Sequence, residues 1–290
     1  RRYIAFSAGV LPYTAVGYDV TMSDSIGSGY HFTKSYVGTG GISEVYGGLS
    51  FNICDWFALG ANVYYMFGKV DNTRSLSFTE SALTSTTQKS VFSVSSVRFR
   101  YGAQFFHTFG EHSFALGGIF EAKQKLRSTY TAYETTLLDT VSAKNEGYEV
   151  PMVYGGGVSY TWANRLTLAF DYQRQCMSGA LYEGNKGNLR DRDRYSFGME
   201  YRHDPTGRRY VDRMEWRCGL NVANSYVKNN SMDYTASIGV GFPLRTSATV
   251  FNATLEYGHR GGQSIGLTEN SLRLIFNASI SENWFFKRKL

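Results

Sequence analysis

In the stretch Arg213-Met-Glu-Trp-Arg-Cys-Gly-Leu-Asn-Val222, every second residue is apolar. The residues between them are Arg, Glu, Arg, Gly and Asn. Because successive side chains of a β-strand point to opposite faces, this stretch predicts a strand with one apolar and one charged face. A strand that crosses a bilayer as part of a β-barrel has this pattern, with its apolar face toward lipid and its polar face toward the lumen.

The same alternation recurs along the chain. It is found over residues 3–18, 45–53, 57–68, 97–106, 113–123, 152–161, 166–173, 194–202, 232–242, 251–260 and 271–280. Most of these stretches have about the length that a tilted strand needs to cross a bilayer, and no run approaches the roughly 20 apolar residues of a transmembrane helix. The sequence therefore predicts an all-β fold: an antiparallel up-and-down transmembrane β-barrel of about twelve strands, formed as a single domain by residues 1–290.

The connections between these strands alternate in length. Short turns are predicted near 54–55, 110–111, 163–164, 205–207, 245–246 and 282–283. Longer polar loops are predicted near 19–30, 71–90, 127–148 and 179–192, with shorter ones near 225–230 and 261–267. Short turns of bacterial barrels face the periplasm. Trp56, Trp162 and Trp284 lie near the predicted short turns and are expected to form an interfacial belt, whereas Trp216 lies deeper in a strand.

A soluble β-sandwich would also show alternating strands. Its outer face, however, would carry charges where this chain carries Leu, Phe, Ile and Tyr. We therefore expect the outer membrane of a Gram-negative bacterium, with outer-membrane lipid and lipopolysaccharide as partners. The net charge of +6 does not indicate nucleic acid, because basic and acidic residues are interleaved, as in Arg190-Asp-Arg-Asp-Arg194.

No chemical site stands out in the sequence. Cys54, Cys176 and Cys218 are too far apart for a disulfide framework or a zinc site. Asp191 and Asp193 could contribute to a calcium site, but two carboxylates supply too few ligands, and a solvated loop is the better interpretation. Since hydrolase motifs such as Gly-x-Ser-x-Gly and His-Glu-x-x-His are also absent, we predict no enzyme, no metal and no cofactor.

Charged residues recur on the face predicted to line the lumen. They are Arg98, Arg100, Arg194, Glu200, Arg202, Glu215, Arg217, Glu256, Arg260 and Arg273. Arg and Glu on neighbouring strands are expected to pair across the wall. Such a lumen either lines a water-filled channel or anchors a plug, and a lattice of salt bridges that stiffens the wall is favoured over a specific ligand site.

Three segments resemble a known family. They are Gly9-Val-Leu-Pro-Tyr-Thr-Ala-Val-Gly-Tyr18, Gly38-Thr-Gly-Gly-Ile-Ser-Glu-Val-Tyr46 and Ser281-Glu-Asn-Trp-Phe-Phe-Lys-Arg-Lys-Leu290. Together with the order of strands and turns, they resemble outer-membrane barrels related to the long-chain fatty-acid transporter (FadL/OmpP1-like). The resemblance implies fourteen strands, an N-terminal hatch with an Asn-Pro-Ala motif, and lateral release beside a kinked strand. This chain lacks that motif, so either an N-terminal portion is missing or the barrel has twelve strands.

By this resemblance, a lateral opening would lie at Gly9, Pro12 and Gly17. Proline removes a hydrogen-bond donor from a strand and is expected at an edge, a kink or a bulge. The alternative is that Pro12 ends the first strand near its outer rim. Gly38, Gly40 and Gly41 could form a second bulge or the shoulder of a loop.

Two functions follow from the sequence. The first is a FadL-like barrel for passive uptake of small hydrophobic compounds, which predicts an apolar pocket. The second is a non-transporting accessory or scaffold barrel of an outer-membrane secretion or assembly complex, which predicts a plugged lumen and other outer-membrane or periplasmic proteins as partners. Generic porin activity ranks third.

Overall fold

The structure is a computed structural model that describes residues 3–26, 30–79, 84–135, 140–145, 147–182, 186–187, 189–204, 207–228, 231–244, 249–262 and 267–280. Sixteen strands are present in these residues: β1 Ile4–Ile26, β2 Tyr30–Cys54, β3 Phe57–Phe78, β4 Thr86–Phe109, β5 His112–Glu121, β6 Gln124–Lys125, β7 Ser128–Thr135, β8 Thr140–Asn145, β9 Glu149–Val150, β10 Met152–Trp162, β11 Leu166–Cys176, β12 Arg192–Arg202, β13 Glu215–Asn224, β14 Met232–Pro243, β15 Val250–Gly262 and β16 Leu267–Ser279. Two short helices, Met177–Gly179 and Tyr210–Arg213, complete the described elements.

Twelve of these strands follow one another around a single antiparallel sheet. Their hydrogen-bonded order is β1-β2-β3-β4-β5-β10-β11-β12-β13-β14-β15-β16, while β7 pairs with β4, β8 pairs with β7, and β6 pairs with β9. Strands that are consecutive in the sheet are also consecutive along the chain, apart from the excursion between β5 and β10. The predicted all-β, antiparallel up-and-down barrel of about twelve strands is confirmed.

The described residues include no helix that is long and apolar enough to cross a membrane.

The strands fall into two length classes. β1 to β4 have 22–25 residues each, whereas β5 and β10 to β16 have 10–13. The predicted loops near 19–30 and 71–90 are therefore wrong over most of their length. Those segments are polar because they are rich in Ser, Thr, Asp and Asn, yet their backbones continue the cross-strand ladder from β1 to β4.

Two other predicted connections also differ. The region 127–148 contains β7 and β8 rather than only a loop, because the outer part of β4 needs a partner beyond the end of β5. The connection between β12 and β13 contains the helix Tyr210–Arg213 rather than only a tight turn. The predicted turn at 282–283 and the segment 281–290 lie outside the described residues.

The outer face of the sheet changes character along the long strands. Toward the short turns it carries exposed apolar residues such as Val45, Val63, Tyr65, Val97 and Phe99. Beyond the row of cross-strand partners that contains Phe67, the outer face of β3 carries residues 69, 71, 73, 75 and 77, which are Lys, Asp, Thr, Ser and Ser. An apolar band therefore encircles the part near the short turns, and a polar wall formed by the outer parts of β1 to β4 and β7 rises beyond it.

Candidate functional site

A β-bulge interrupts β1 at the edge of the apolar band. Pro12 faces Ser43 and Thr14 faces Ile42, so Tyr13 is an extra residue without a partner in the register of β1 and β2. Because the bulge adds one residue, side chains on β1 exchange faces across it. The strand continues to Ile26, so Pro12 does not end it. The predicted kink thus lies where a bulge is found, with its donor-free nitrogen in a strand at one end of the sheet order.

Glycines allow β2 and β3 to bend beside this bulge. Gly40 has a φ of +107°, and a Cβ atom there would lie 2.3 Å from the carbonyl oxygen of Lys69. A Cβ atom at Gly41 would lie 2.6 Å from the carbonyl oxygen of Thr14. Gly38, Gly40 and Gly41 lie within the continuous pairing of β2 and β3, so this segment is a kink inside a strand and neither of the predicted alternatives.

The other two predicted positions flank the bulge on opposite faces. Gly9 lies beneath the ring of Tyr46, where a Cβ atom would come within 2.7 Å of the ring. Gly17 has no heavy atom within 4 Å of such a Cβ position.

Inside the barrel, Arg98 on β4 forms the centre of a buried ion-pair layer. Its Nε and Nη2 atoms donate hydrogen bonds to Glu44 on β2 at 3.1 and 2.7 Å, and Nη1 donates to Glu121 on β5. Arg100 also donates to Glu121. Glu44, Arg98 and Glu121 are only 3–5% exposed. We call Glu44, Arg98, Arg100 and Glu121 the Arg98 layer; it links three strands across the interior.

Two tyrosines cover the arginine of this layer. The guanidinium carbon of Arg98 lies 4.1 Å from the ring centre of Tyr64 and 5.5 Å from that of Tyr13, the bulged residue of β1. Both distances lie within the range of cation–π attraction. The Arg98 layer therefore contacts the bulge directly through an aromatic ring.

An apolar cluster lies next to the Arg98 layer on the side of the polar wall. Its buried members are Ile42, Met66, Val70, Val94 and Val150, with Val16, Phe92 and Leu126 packed against them. Ile42 and Met66 are the next residues on the inner face after Glu44 and Tyr64 of the same strands. Leu126 and Val150 come from the excursion between β5 and β10, which thus fills part of the interior. Ile42 faces Thr14, so the cluster adjoins the bulge.

An interior space lies toward the short turns. It is a cavity of about 710 Å³ with side chains from Ser7, Asn62, Arg100, Gln104, Asp171 and Arg194 in its lining. Alanine, glycine, leucine and valine residues also line this space, so its lining is mixed and on balance more apolar than polar. Arg194, from the predicted lumen set, lines this cavity.

A second ion-pair lattice joins β12 and β13. Arg202 donates to Glu215, and Arg217 donates to Glu215 and to Glu200. Arg217 also donates to Asn252 on β15. These four charged residues lie together as the predicted pairing across the wall requires, and only Glu215 is fully buried.

The remaining predicted charges form separate pairs. Arg273 lies 3.4 Å from Glu256, and Arg260 lies 3.7 Å from Asp233 near the opposite end of β15. The lumen charges therefore do not form one continuous network, but the Arg98 layer, the β12–β13 lattice and these isolated pairs.

Of the other predicted residues, Trp56 and Trp162 lie at short turns and are about half exposed, whereas Trp284 lies outside the described residues. Asp191 accepts hydrogen bonds from Ser178 Oγ at 2.6 Å and from Arg174 at 3.0 Å, and these bonds lower the pKa of its carboxyl group. Asp193 accepts from Tyr172 at 2.7 Å. Both carboxylates thus hold protein groups at the end of β11, and no metal-binding cluster of three His, Cys, Asp or Glu is found within the described part of the chain.

Sequence reasoning missed four residues of the interior: Tyr13, Glu44, Tyr64 and Glu121. The two glutamates follow the alternation, since each occupies an inward position on its strand. Glu121 lies inside the predicted strand 113–123 and Glu44 lies one residue before the predicted strand 45–53, so the alternation could have identified both. Tyr13 continues the inward positions of Gly9 and Leu11, but its place as the unpaired residue of a bulge could not be predicted.

Comparison with known proteins places the fold. A family model described as BamG matches residues 2–290. None of the curated proteins matches the chain. Among solved structures, the chain is similar to the CymD monoaromatic hydrocarbon channel, at 14% identity over 97% of this chain and 87% of that chain, with a TM-score of 0.56. It is also similar to a Pseudomonas aeruginosa FadL homologue, at 14% identity over 89% and 75%, with a TM-score of 0.59.

A third similar structure is the Ralstonia pickettii toluene transporter TbuX, at 14% identity over 95% of this chain and 86% of that chain, with a TM-score of 0.59. At this level of identity the likeness is one of fold. The predicted resemblance to FadL-type barrels is confirmed in that sense.

Proposed function

The chain belongs to the BamG family, and from this premise we propose that it forms one outer-membrane barrel domain over residues 1–290 in a Gram-negative bacterium. We propose further that it admits small hydrophobic compounds passively and releases them sideways at the bulge of β1, beside Gly9, Pro12 and Gly17. The observation that carries the proposal is the apolar cluster, which adjoins the bulge and ends at the Arg98 layer.

The charges of the interior favour a sideways route. An apolar molecule that continued along the barrel axis would have to separate the buried pairs of Arg98 with Glu44 and Glu121. Breaking a buried ion pair costs about 3–5 kcal/mol, and an apolar molecule supplies no groups that replace the lost bonds. Beyond that layer it would meet the charged side chains of Arg100, Asp171 and Arg194, which line part of the next cavity. The bulge, in contrast, lies next to the apolar cluster and at the edge of the apolar band.

The outer face supports the expected surroundings. The apolar band suits the hydrocarbon of outer-membrane lipid, and the polar wall suits the hydrated headgroups of lipopolysaccharide. In this arrangement a compound would enter from the side of the polar wall, contact the apolar cluster and leave into lipid beside Pro12.

Deletion of Tyr13 tests the route. Since Pro12 faces outward and Thr14 inward, removing the extra residue restores regular alternation and should close the bulge. Cells that lack the protein would be complemented with wild type or with this variant, and uptake of radiolabelled toluene would be measured. We expect wild type to raise uptake over uncomplemented cells and the deletion to lose most of that gain.

Folding of the deletion variant is checked by heat-modifiable migration on gels and by its level in the outer membrane. Equal uptake by a correctly inserted deletion variant would exclude the bulge as the route. Equal uptake by cells with and without the wild-type protein would exclude the transport proposal itself.

The second candidate is an accessory or scaffold barrel of an outer-membrane secretion or assembly complex. The observation in its favour is the interior, where the Arg98 layer and the β5–β10 excursion fill space that an open apolar channel would need. Purification of the full-length protein in mild detergent, followed by mass spectrometry of lipids and proteins, separates the two. A bound apolar molecule in a lone barrel supports transport, whereas stoichiometric protein partners and no such molecule support the scaffold.

A further inference from the structure

Tyr13 has two unusual properties at once. It is the unpaired residue of the β1 bulge, and its ring lies over the guanidinium group of Arg98 with 5.5 Å between the ring centre and the guanidinium carbon. Its residue remains 45% exposed, whereas Arg98 is 5% exposed. Tyr13 is therefore the more exposed partner of this contact, and Arg98 is the buried one.

Arg98 is well suited to act as a fixed anchor. Its guanidinium group bonds to Glu44 of β2 and Glu121 of β5, and the ring of Tyr64 lies 4.1 Å away. Long side chains that are held by several bonds on different strands have little freedom to follow a moving ring. Movement at this contact must then come from Tyr13 and the backbone of the bulge.

We propose that Tyr13 is the residue that controls passage through the β1 bulge, and that its ring is a latch held closed by Arg98. In the closed position the ring bridges the bulge and the Arg98 layer beside the apolar cluster. When the ring leaves Arg98, the bulge loses this aromatic contact with the layer and is free to separate from it. This inference deepens the proposed uptake function and rests on it.

The side chain also fits the role chemically. A cation–π contact is weak enough to be broken by thermal motion or by a compound that packs against the ring, and strong enough to bias the closed state. The hydroxyl group of tyrosine is not required for this attraction, because the ring face carries it. Phenylalanine should therefore replace Tyr13, and leucine should not.

The same strand offers a matched control. Tyr18 is an inward tyrosine of β1 with 44% exposure, but its hydroxyl group donates to Asn72 at 3.1 Å and it makes no contact with Arg98 that the structure records. Tyr18→Leu thus removes a similar ring from the same strand without touching the proposed latch.

The experiment measures toluene uptake by complemented cells and amide hydrogen exchange over residues 9–17 of the purified full-length protein. We expect Tyr13→Leu to raise both uptake and exchange roughly 3- to 30-fold, which is the range that loss of one cation–π contact allows. Tyr13→Phe and Tyr18→Leu should stay within about twofold of wild type, since the first keeps the ring face and the second lies outside the contact.

Two outcomes would overturn the latch. One is exchange over 9–17 that is the same in Tyr13→Leu as in wild type, and the other is a Tyr13→Phe variant that behaves like Tyr13→Leu. Exchange needs no substrate, so it decides the latch even if wild type shows no uptake. In that event the proposed transport function fails, while faster exchange in Tyr13→Leu alone still establishes the contact as the element that holds the bulge closed.

Discussion

The two halves of the barrel share the alternating strand pattern but differ in strand length and in the residues that fill the interior. In β1 to β4 the strands run 22–25 residues and enclose a bulge, a glycine kink, the Arg98 layer and an apolar cluster. In β10 to β16 the strands run 10–13 residues and carry a more exposed lattice of charges. The strands of the long half are on average about 12 residues longer, which adds about 41 Å along each strand at about 3.4 Å per residue. The long half thus contains the features on which the proposed route depends, and the short half contributes the other strands of the sheet.

The two halves should differ most in the stability that is lost when one arginine is replaced in each. Arg98→Met leaves Glu44 buried without its cation and leaves Glu121 with Arg100 alone, which should cost about 3–5 kcal/mol of stability. Arg273→Met removes a partner of Glu256, but the side chain of Arg273 is 60% exposed and the loss should stay below about 1 kcal/mol. Denaturant unfolding of the barrel in detergent measures both values. Similar losses for the two variants would mean that the Arg98 layer is no more important than a surface pair.

A second comparison tests where the apolar band ends and the polar wall begins within the long half. Val63→Arg places a charge at the middle of the apolar band and should cost about 2–4 kcal/mol in a bilayer. Thr73→Arg places the same charge on the same face of the same strand, within the polar wall. This substitution should cost about 0–1 kcal/mol. Folding into liposomes at a series of denaturant concentrations gives both numbers, and an equal penalty would show that the wall is also immersed in hydrocarbon.

The smallest expected effect is a loss of local stability at low pH. Hydrogen bonds from Ser178 and the charge of Arg174 lower the pKa of the Asp191 carboxyl group below its usual value of about 4. The ionised carboxylate therefore stabilises the folded protein at neutral pH. This stabilisation is lost as the pH falls through the lowered pKa. The loss should amount to about 1–2 kcal/mol within the β11–β12 connection. Limited digestion with pepsin should therefore cut this connection faster at low pH than the β1–β2 ladder. In Asp191→Asn the ratio of cleavage in this connection to cleavage in the β1–β2 ladder should be high at every pH tested, because no carboxylate at position 191 remains to be protonated.

Much of the fold could be predicted because alternation is a local property of a strand. Trp216 and Cys218 face outward and Glu215 and Arg217 face inward, as their positions in the chain require. The number of strands follows from counting such segments. Strand length could not be predicted in β1 to β4, since the outer faces of those strands change from apolar residues to Ser and Thr, and polarity alone is equally typical of a loop.

The interior site was less predictable, because its contacts join residues far apart along the chain. Arg98 was identified as a lumen charge, but its partners Glu44 and Glu121 come from strands on either side. Only the register decides which carboxylates lie within reach. Tyr13 is the clearest example: it is the extra residue of a bulge in β1, and no periodicity in the sequence marks where that bulge lies.

The position of the bulge along the strands determines which layer of the membrane a released compound would enter. Pro12, Ser43, Phe67 and Ser95 form one row of cross-strand partners, and the next row outward already contains Lys69 and Ser93. A compound leaving at this row would enter the uppermost hydrocarbon of the outer leaflet. Hydrocarbon itself is no obstacle to an apolar solute, whereas the hydrated, charged sugars above it are. The barrel would therefore carry the compound past the headgroup region only, and diffusion within the lipid would complete the transfer.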